Sequence, residues 1–405
     1  MSRTGGTGQA RSATRKRLLV LGAGPAQLGL LEAAQTRGLF TIAVDRDPAA
    51  PGFALVDRRA IISTEDERGI ERLARAERID GVIAPGIDWP VGTAARVAAK
   101  LGIQHPLEPT VAGLAVSKAR QRERFDEAGV PQPRWRLVSE PEPGLPLPCV
   151  VKAPDRQGQR GLSVVRDQGE LAPAIAEAVQ ASRSGAAVVE ELVEGPELTV
   201  NAFSTRGEFI PLTVTDRVTA EPPAFGVALA HVWPAEAGTD DAVDVVRLAV
   251  ESLGITDGPT YTQVRIGSEG PKVMEVAARL GGGHDAELCD AALGVDLNGL
   301  ALAAALGEEV SVPDPQPKAG GACTSFLVPP PGALLGLEGV DEARRSEGVI
   351  GVRVYRRLGY RFGELRVGAD RAGAVLAIGG RRSEGYERAN AAAALIRFQT
   401  DAALV

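Results

Sequence analysis

The sequence predicts an α/β amino-terminal domain on a parallel sheet, followed by lobes of α+β type. Three observations carry this. Apolar strand-like runs alternate with helical segments between Arg17 and Leu101, the pattern of βαβ units. From Cys149 onward, short β-type runs are separated by turns and interleaved with helices. At 405 residues the chain is long enough for two or three buried cores.

The elements follow in order. Residues 1–16 are rich in Gly, Ser, Thr and Arg and lack the apolar run of a signal peptide, so a disordered tail is expected. A first domain spans 17–110. It opens with a strand running into the Gly22-Ala23-Gly24 turn and continues with a helix from Pro25 to Arg37. A strand from Phe40 to Val44 ends at Asp45; another from Ile79 to Ala84 precedes an Ala-rich helix from Val91 to Leu101. A second domain spans 111–318, with a small lid at about 130–195. Its first helix, Ser117 to Ala128, stops at Gly129, with Pro131 and Pro133 beyond. The lid reads as a strand from Cys149 to Lys152, a polar glycine loop from Asp155 to Gly161, a strand from Leu162 to Val165, a helix from Glu170 to Ser182 and a strand from Ala187 to Leu192. Residues 262–283 hold a hairpin, and 319–405 form a strand-rich lobe with a final helix from Glu384 to Phe398.

Composition excludes several classes. Hydrophobic residues at 44% and charged residues at 24% are ordinary for a globular chain. A net charge of -7 argues against nucleic-acid binding. Apolar runs fall short of the roughly 18 to 20 residues that span a bilayer, so no membrane partner is expected. Cys149, Cys289 and Cys323 are too far apart in sequence to suggest a disulfide framework or a zinc site, and a cytoplasmic location is expected.

Four segments carry chemistry. Lys118, on its helix, can meet a phosphate as a point charge, or lie on a solvated face. Lys152 ends an apolar strand just before the glycine loop that contains Gly158 and Gly161; a cation beside free backbone N–H groups cradles polyphosphate, and a plain turn is the alternative. In the run from Val188 to Val200, Glu190 can accept from an exocyclic amine, Val193 offers extended backbone and Glu197 can accept from ribose hydroxyls, unless the run is an acidic surface turn. In the hairpin, a turn centred on Glu269 sets Gln263 opposite Glu275 on one face, with Cβ atoms about 5 Å apart. Two oxygen donors there suit Mg²⁺ shared with phosphates. Arg279, four residues on, can meet a developing anion, or pair with Glu275 as a buried ion pair. The Gly22-Ala23-Gly24 turn with Asp45 suggests a dinucleotide site, but the third glycine of that fingerprint is replaced by Gln27.

Taken in this order, the segments resemble the ATP-grasp superfamily from about 17 to 400. The Glu190–Val200 stretch is similar to D-alanine:D-alanine ligases; residues 274–283, Gly294-Val295-Asp296-Leu297 and the C-terminal lobe look more like L-amino-acid ligases and related carboxylate-amine ligases. The resemblance implies a three-lobed ATP-grasp architecture behind a Rossmann-like parallel-sheet domain, and an ADP-forming ligase working through an acyl phosphate. It implies ATP with Mg²⁺ or Mn²⁺ as cofactors and small-molecule carboxylate and amine substrates as partners; a homodimer is a separate expectation. By position, Lys118 and Lys152 would contact phosphates, Glu190 and Val193 adenine, Glu197 ribose, Gln263 and Glu275 the metal, and Arg279 the acyl phosphate. His231 and His284 fall near where the family binds acceptor or acyl-phosphate groups. The family pattern has an acid at Gln263 and often Asn at Ala277, which predicts a weaker hold on the metal. Other readings stay open: a purine-pathway carboxylase or formate ligase, a dinucleotide-dependent oxidoreductase, and a non-catalytic nucleotide-binding protein.

Overall fold

The structure is a computed structural model and describes residues 15–142, 145–156, 159–236 and 238–401. Most of the expected tail, 1–14, lies outside that range. Arg15 and Lys16 are in place: Arg15 pairs with Asp57 at 2.8 Å and Lys16 with Glu308 at 2.9 Å.

The amino-terminal sheet contains β1 (Arg17–Leu21), β2 (Phe40–Asp45), β3 (Arg58–Ile61) and β4 (Gly81–Ile83), in the order β3-β2-β1-β4. All its pairings are parallel. Leu18 to Leu21 are fully buried, as expected of a strand covered on both faces. Four helices surround the sheet: α1 (Leu28–Thr36), α2 (Glu67–Glu77), α3 (Trp89–Leu101) and α4 (Pro109–Ala115). The helix expected from Pro25 begins as a 3-10 turn over Pro25–Gln27. β3 and α2 had no counterpart in the sequence reading: β3 is short and largely exposed, and α2 is a polar helix with only Ile70, Ala74 and Glu77 buried.

Next comes α5 (Lys118–Ala128), capped by the Ser117 hydroxyl, which accepts from Arg120 N–H. A four-stranded antiparallel lid follows, made of β5 (Trp135–Val138), β6 (Cys149–Lys152), β7 (Leu162–Val165) and β8 (Ala187–Glu191), in the order β5-β8-β6-β7. Its helix α6 (Gln168–Ala181) seats Leu171, Ile175 and Ala178 on Val151, Val165 and Val189.

The main sheet has eight strands. It takes β9 (Glu197–Thr205), β10 (Glu208–Thr219), β11 (Ala228–Trp233), β12 (Gly258–Gly267) and β13 (Gly270–Ala277) from the middle of the chain. Between them runs α7 (Thr239–Ser252), and after them α8 (Asp285–Leu293) and α9 (Leu297–Ala305). The C-terminal part supplies β14 (Gly321–Leu327), β15 (Gly332–Glu338), α10 (Val340–Arg345), β16 (Val349–Val354), β17 (Arg361–Phe362), β18 (Gly373–Gly379), α11 (Arg382–Leu395) and β19 (Arg397–Thr400). The order β13-β12-β9-β10-β11-β14-β18-β16 is continuous across residue 319, while β17-β15-β19 form a small separate sheet. The final helix stops at Leu395, and Phe398 lies instead on β19 opposite Leu337.

Period-two alternation decides which face of the main sheet does what. Leu198, Val200 and Ala202 of β9 join the core that includes Val246 and Val250 of α7. Glu197, Gln263, Arg265 and Arg217, on the opposite face, line a cleft. Gln263 is opposite Glu275, as the spacing predicts. Nearer the turn the register slips: Val264 faces Val273, so Met274 is an extra residue and the loop is Ser268-Glu269 rather than a turn centred on Glu269.

Candidate functional site

A cleft of about 550 Å³ lies between the lid, the main sheet, the glycine turn after β1 and the C-terminal part of the chain. That is within the range of roughly 300 to 1,000 Å³ of small-molecule sites. Nine of the expected site residues line it: Lys118, Lys152, Glu190, Val193, Glu197, His231, Gln263, Glu275 and Arg279. Gly161 and His284 are not in the lining, and Gly158 lies outside the described residues.

The residues sort into four groups. In the first, Lys118 Nζ is 2.8 Å from Glu275 Oε1 and donates to Arg156 O at 2.6 Å. The alternative of a buried Glu275–Arg279 pair does not form: Arg279 Nε bonds Asp88 at 2.6 Å, at the start of α3. A lysine beside a carboxylate suits a Mg²⁺–phosphate group, with the ammonium toward the phosphate and the carboxylate toward the metal. Among the described residues no cluster of three His, Cys, Asp or Glu is arranged to hold a metal. The donors Gln263 and Glu275 fit a metal shared with phosphates rather than one caged by protein.

The second group sits under the lid. Glu190, buried, accepts from Arg122 Nε at 2.8 Å and pairs with Lys152 Nζ at 2.8 Å. Burial opposes its charge, but Arg122 and Lys152 together hold it at about 2. Burial, with Arg122 and Lys118 nearby, lowers the basicity of Lys152 more than Glu190 raises it. Arg122 also donates to Val273 O at 2.9 Å and Met274 O at 2.6 Å. Its neighbour Gln121 brackets Val276, donating to its O at 2.8 Å and accepting from its N at 3.0 Å. The free edge of β13 and its bulge are therefore held by α5 side chains.

In the third group, Glu197 accepts from both Arg217 and Arg265, the latter at 2.7 Å. Arg217 Nε is buried and has no hydrogen-bond partner among the described residues. The fourth group holds the histidines. His231 Nδ1 is 2.8 Å from Asp285 Oδ1. His284 spends both ring nitrogens, Nδ1 on Glu287 at 3.1 Å and Nε2 on the Tyr355 hydroxyl.

Sequence reasoning missed Arg122, Arg217, Asp88 and Asp285, all partners of residues it did single out. Arg217 carried a usable signal, since it shares the cleft-facing parity of Thr213 and Thr215 on a strand. Arg122 carried none, because seven charged residues in the helix from Lys118 to Ala128 read as solvated.

The glycine turn takes a different form from a dinucleotide site. Asp45 accepts from Ala23 N–H at 2.9 Å, and Gln27 Oε1 accepts from Gly24 N–H at 2.8 Å. Gln27 Nε2 donates to Pro85 O at 2.6 Å, and its side chain is buried against Gly22. The N–H group and the space that a pyrophosphate needs are taken by this glutamine. The three cysteines are buried, and burial pushes the Cys289 and Cys323 thiols up to about 12, which rules out thiolate chemistry near neutral pH.

One pH dependence follows. Glu190 moves from 4.5 to about 2, and Asp285, buried but held by His231, from 3.8 to about 2. Both are depressed on folding, so their stabilisation is full above the unfolded values and is lost as pH falls toward the folded ones. Urea midpoints should therefore fall steeply between pH 4.5 and 2; a flat midpoint across that window would remove the two carboxylates from the ion-pair network.

Comparison with known proteins adds the following. Residues 145–287 match the model of the ATP-grasp domain, and residues 325–401 that of the L-amino acid ligase C-terminal domain 2. An uncharacterised protein of Sinorhizobium fredii is 28% identical over 373 residues, covering 87% of this chain and 76% of that one. A formate-dependent phosphoribosylglycinamide formyltransferase of Bordetella pertussis is 29% identical over 210 residues, 48% of this chain and 51% of that one, so the chain spans about half of it. The crystal structure of an L-amino acid ligase from Bacillus licheniformis superposes with a TM-score of 0.81 at 21% identity, covering 96% of this chain and 99% of that one. No helix among the described residues is long and apolar enough to cross a membrane.

Proposed function

The chain carries an ATP-grasp domain and an L-amino acid ligase C-terminal domain 2, and from that premise we propose an ATP- and Mg²⁺-dependent carboxylate-amine ligase. An amino acid is at least one of its substrates. The observation that carries this reading is the cross-strand pair Gln263–Glu275, set beside Lys118 in one cleft with Lys152, Glu190 and Arg279.

The residues divide the work by charge. Lys118 and Lys152 neutralise the triphosphate, and Glu275 with Gln263 holds the metal. Bound Mg²⁺ supplies charge neutralisation across the phosphates. Val193 offers backbone to the adenine, and Glu197 accepts from the ribose. Both Glu190 oxygens already face cations, but each has a second lone pair and can still accept from the adenine amine. The substrate carboxylate attacks the γ-phosphorus, the bond to ADP breaks, and Arg279 meets the charge of the acyl phosphate. An amine then forms the C–N bond while the C–O bond to phosphate breaks. Positioning and charge neutralisation do this without a protein nucleophile.

A second reading, a ligase activating formate or bicarbonate in purine synthesis, draws on the half-length match to the formyltransferase. One assay separates the two. With ATP, Mg²⁺, a mixture of the proteinogenic amino acids and hydroxylamine, phosphate should appear in an amount equal to hydroxamate plus amide. ATP binding without phosphate release would overturn the ligase reading. Release stimulated by formate or bicarbonate but by no amino acid would favour the second.

The neutral donor gives a further prediction. Gln263→Glu adds a negative charge beside Glu275, so the Mg²⁺ concentration for half-maximal activity should fall about tenfold. A rise would mean that Gln263 does not face the metal.

A further inference from the structure

We propose that His231, held by Asp285, is the general base that takes the proton from the acceptor amine. This rests on the ligase reading above.

The geometry is that of an oriented base. His231 sits on β11 opposite Arg217 on one side and Thr324 on the other. It thus belongs to the cleft-facing row that runs from Arg265 through Glu197 and Arg217. Asp285 is 1% exposed and stays ionised; one oxygen faces His231 Nδ1 at 2.8 Å and the other accepts from Gly283 N–H at 3.0 Å. An ionised carboxylate there requires a proton on Nδ1, so the lone pair of the neutral ring is on Nε2. Nε2 has no hydrogen-bond partner among the described residues, and His231 lines the cleft. Phe326 fixes the ring edge-on, with centroids 5.7 Å apart. The loop after Arg279 passes so close that a Cβ on Gly283 would lie 2.9 Å from His231 Cε1, so this loop brings the acyl-phosphate arginine and the dyad to one end of the cleft. His284 cannot play this part, because both its nitrogens are engaged.

The reaction needs such a group. An amino acid arrives as an ammonium, which has no lone pair to attack with. His231 Nε2 takes one proton, the amine nitrogen forms the C–N bond, and the C–O bond to phosphate breaks with its electron pair going to phosphate. The departing phosphate takes the second proton, and His231 returns the first to solvent. Asp285 of α8 faces the ring at Nδ1, Arg217 lies opposite it on β10, Arg371 is stacked 3.7 Å over Phe326, the ring's edge-on neighbour, and Arg279 precedes the loop that carries Gly283. Tyr261 of β12 and Thr324 of β14 remain neutral near neutral pH.

Two acceptors test the role. Hydroxylamine is uncharged near neutral pH and traps acyl phosphates without a base, whereas an amino acid must lose a proton. In His231→Gln, amide formation from the amino-acid mixture should fall about 100-fold, since general bases contribute about 10² to 10⁴. Hydroxamate formation should stay within about threefold of the unmodified chain, and the acidic limb of the amide pH profile should vanish. Asp285→Asn, which loses the charge that fixes the ring, should show the same split if His231→Gln fails to fold. Equal loss with both acceptors, or no loss with either, would overturn the base assignment. Absence of hydroxamate in the unmodified chain would instead sink the ligase reading and, with it, this proposal.

Discussion

Glu275→Gln is expected to lower Mg²⁺-dependent turnover about 1,000-fold, roughly 4 kcal/mol of transition-state stabilisation, and to leave the chain folded. In the proposed site Glu275 would be the only carboxylate of the pair to face the metal, since its cross-strand partner is the neutral Gln263. Removing that charge leaves two amide oxygens, which bind Mg²⁺ weakly. The fold should survive because Glu275 keeps part of its side chain in solvent and its partner Lys118 also bonds Arg156 O. Steady-state phosphate release against Mg²⁺ concentration measures the effect; rates within a few-fold of the unmodified chain would refute the metal role.

Arg122→Met is expected to give the largest loss of stability, about 3 to 5 kcal/mol, because it strips a partner from a buried charge. Arg122 is 1% exposed and binds Glu190, Val273 O and Met274 O at once. Its loss leaves Glu190 with Lys152 alone and frees the carbonyls of Val273 and Met274 at the bulge next to Glu275. Arg124→Met, two residues on, is the control: its pair with Glu127 is half-exposed and should contribute under about 1 kcal/mol. Urea unfolding followed by two probes, since a chain of several lobes need not unfold in one step, measures both. Equal midpoints for the two variants would mean that Arg122 is not an anchor.

How much of this was legible in the sequence depended on where each interaction closes. The Gln263–Glu275 facing was readable because a short hairpin fixes its own register. The bulge at Met274 was not, because what holds it is Arg122, more than 150 residues earlier and on another element. Lys152 stood out as a cation ending an apolar strand before a glycine loop, and Lys118 as a point charge on its helix. Their partners did not: Glu190 and Glu197 were assigned to nucleotide, whereas each also faces two cations of the protein. Asp285 was passed over because one acid at the start of a helix looks like a cap, and only the fold brings His231 to it. The helix from Arg382 was seen but overrun, since nothing in Ile396-Arg397-Phe398 breaks a helix; pairing with β15 makes it a strand. Local signals, then, carried the elements and the charged pockets, and tertiary partners decided registers, ends and ion pairs.

The central claim is that a substrate carboxylate oxygen is transferred to phosphate on the way to an amide. Its most direct measurement uses an amino-acid mixture whose carboxylates carry heavy oxygen, incubated with the full chain, ATP and Mg²⁺. Mass analysis of the released phosphate should find one heavy oxygen per phosphate, in step with amide formed. Phosphate free of label, with ADP still produced, would contradict the acyl-phosphate route and the account built on it.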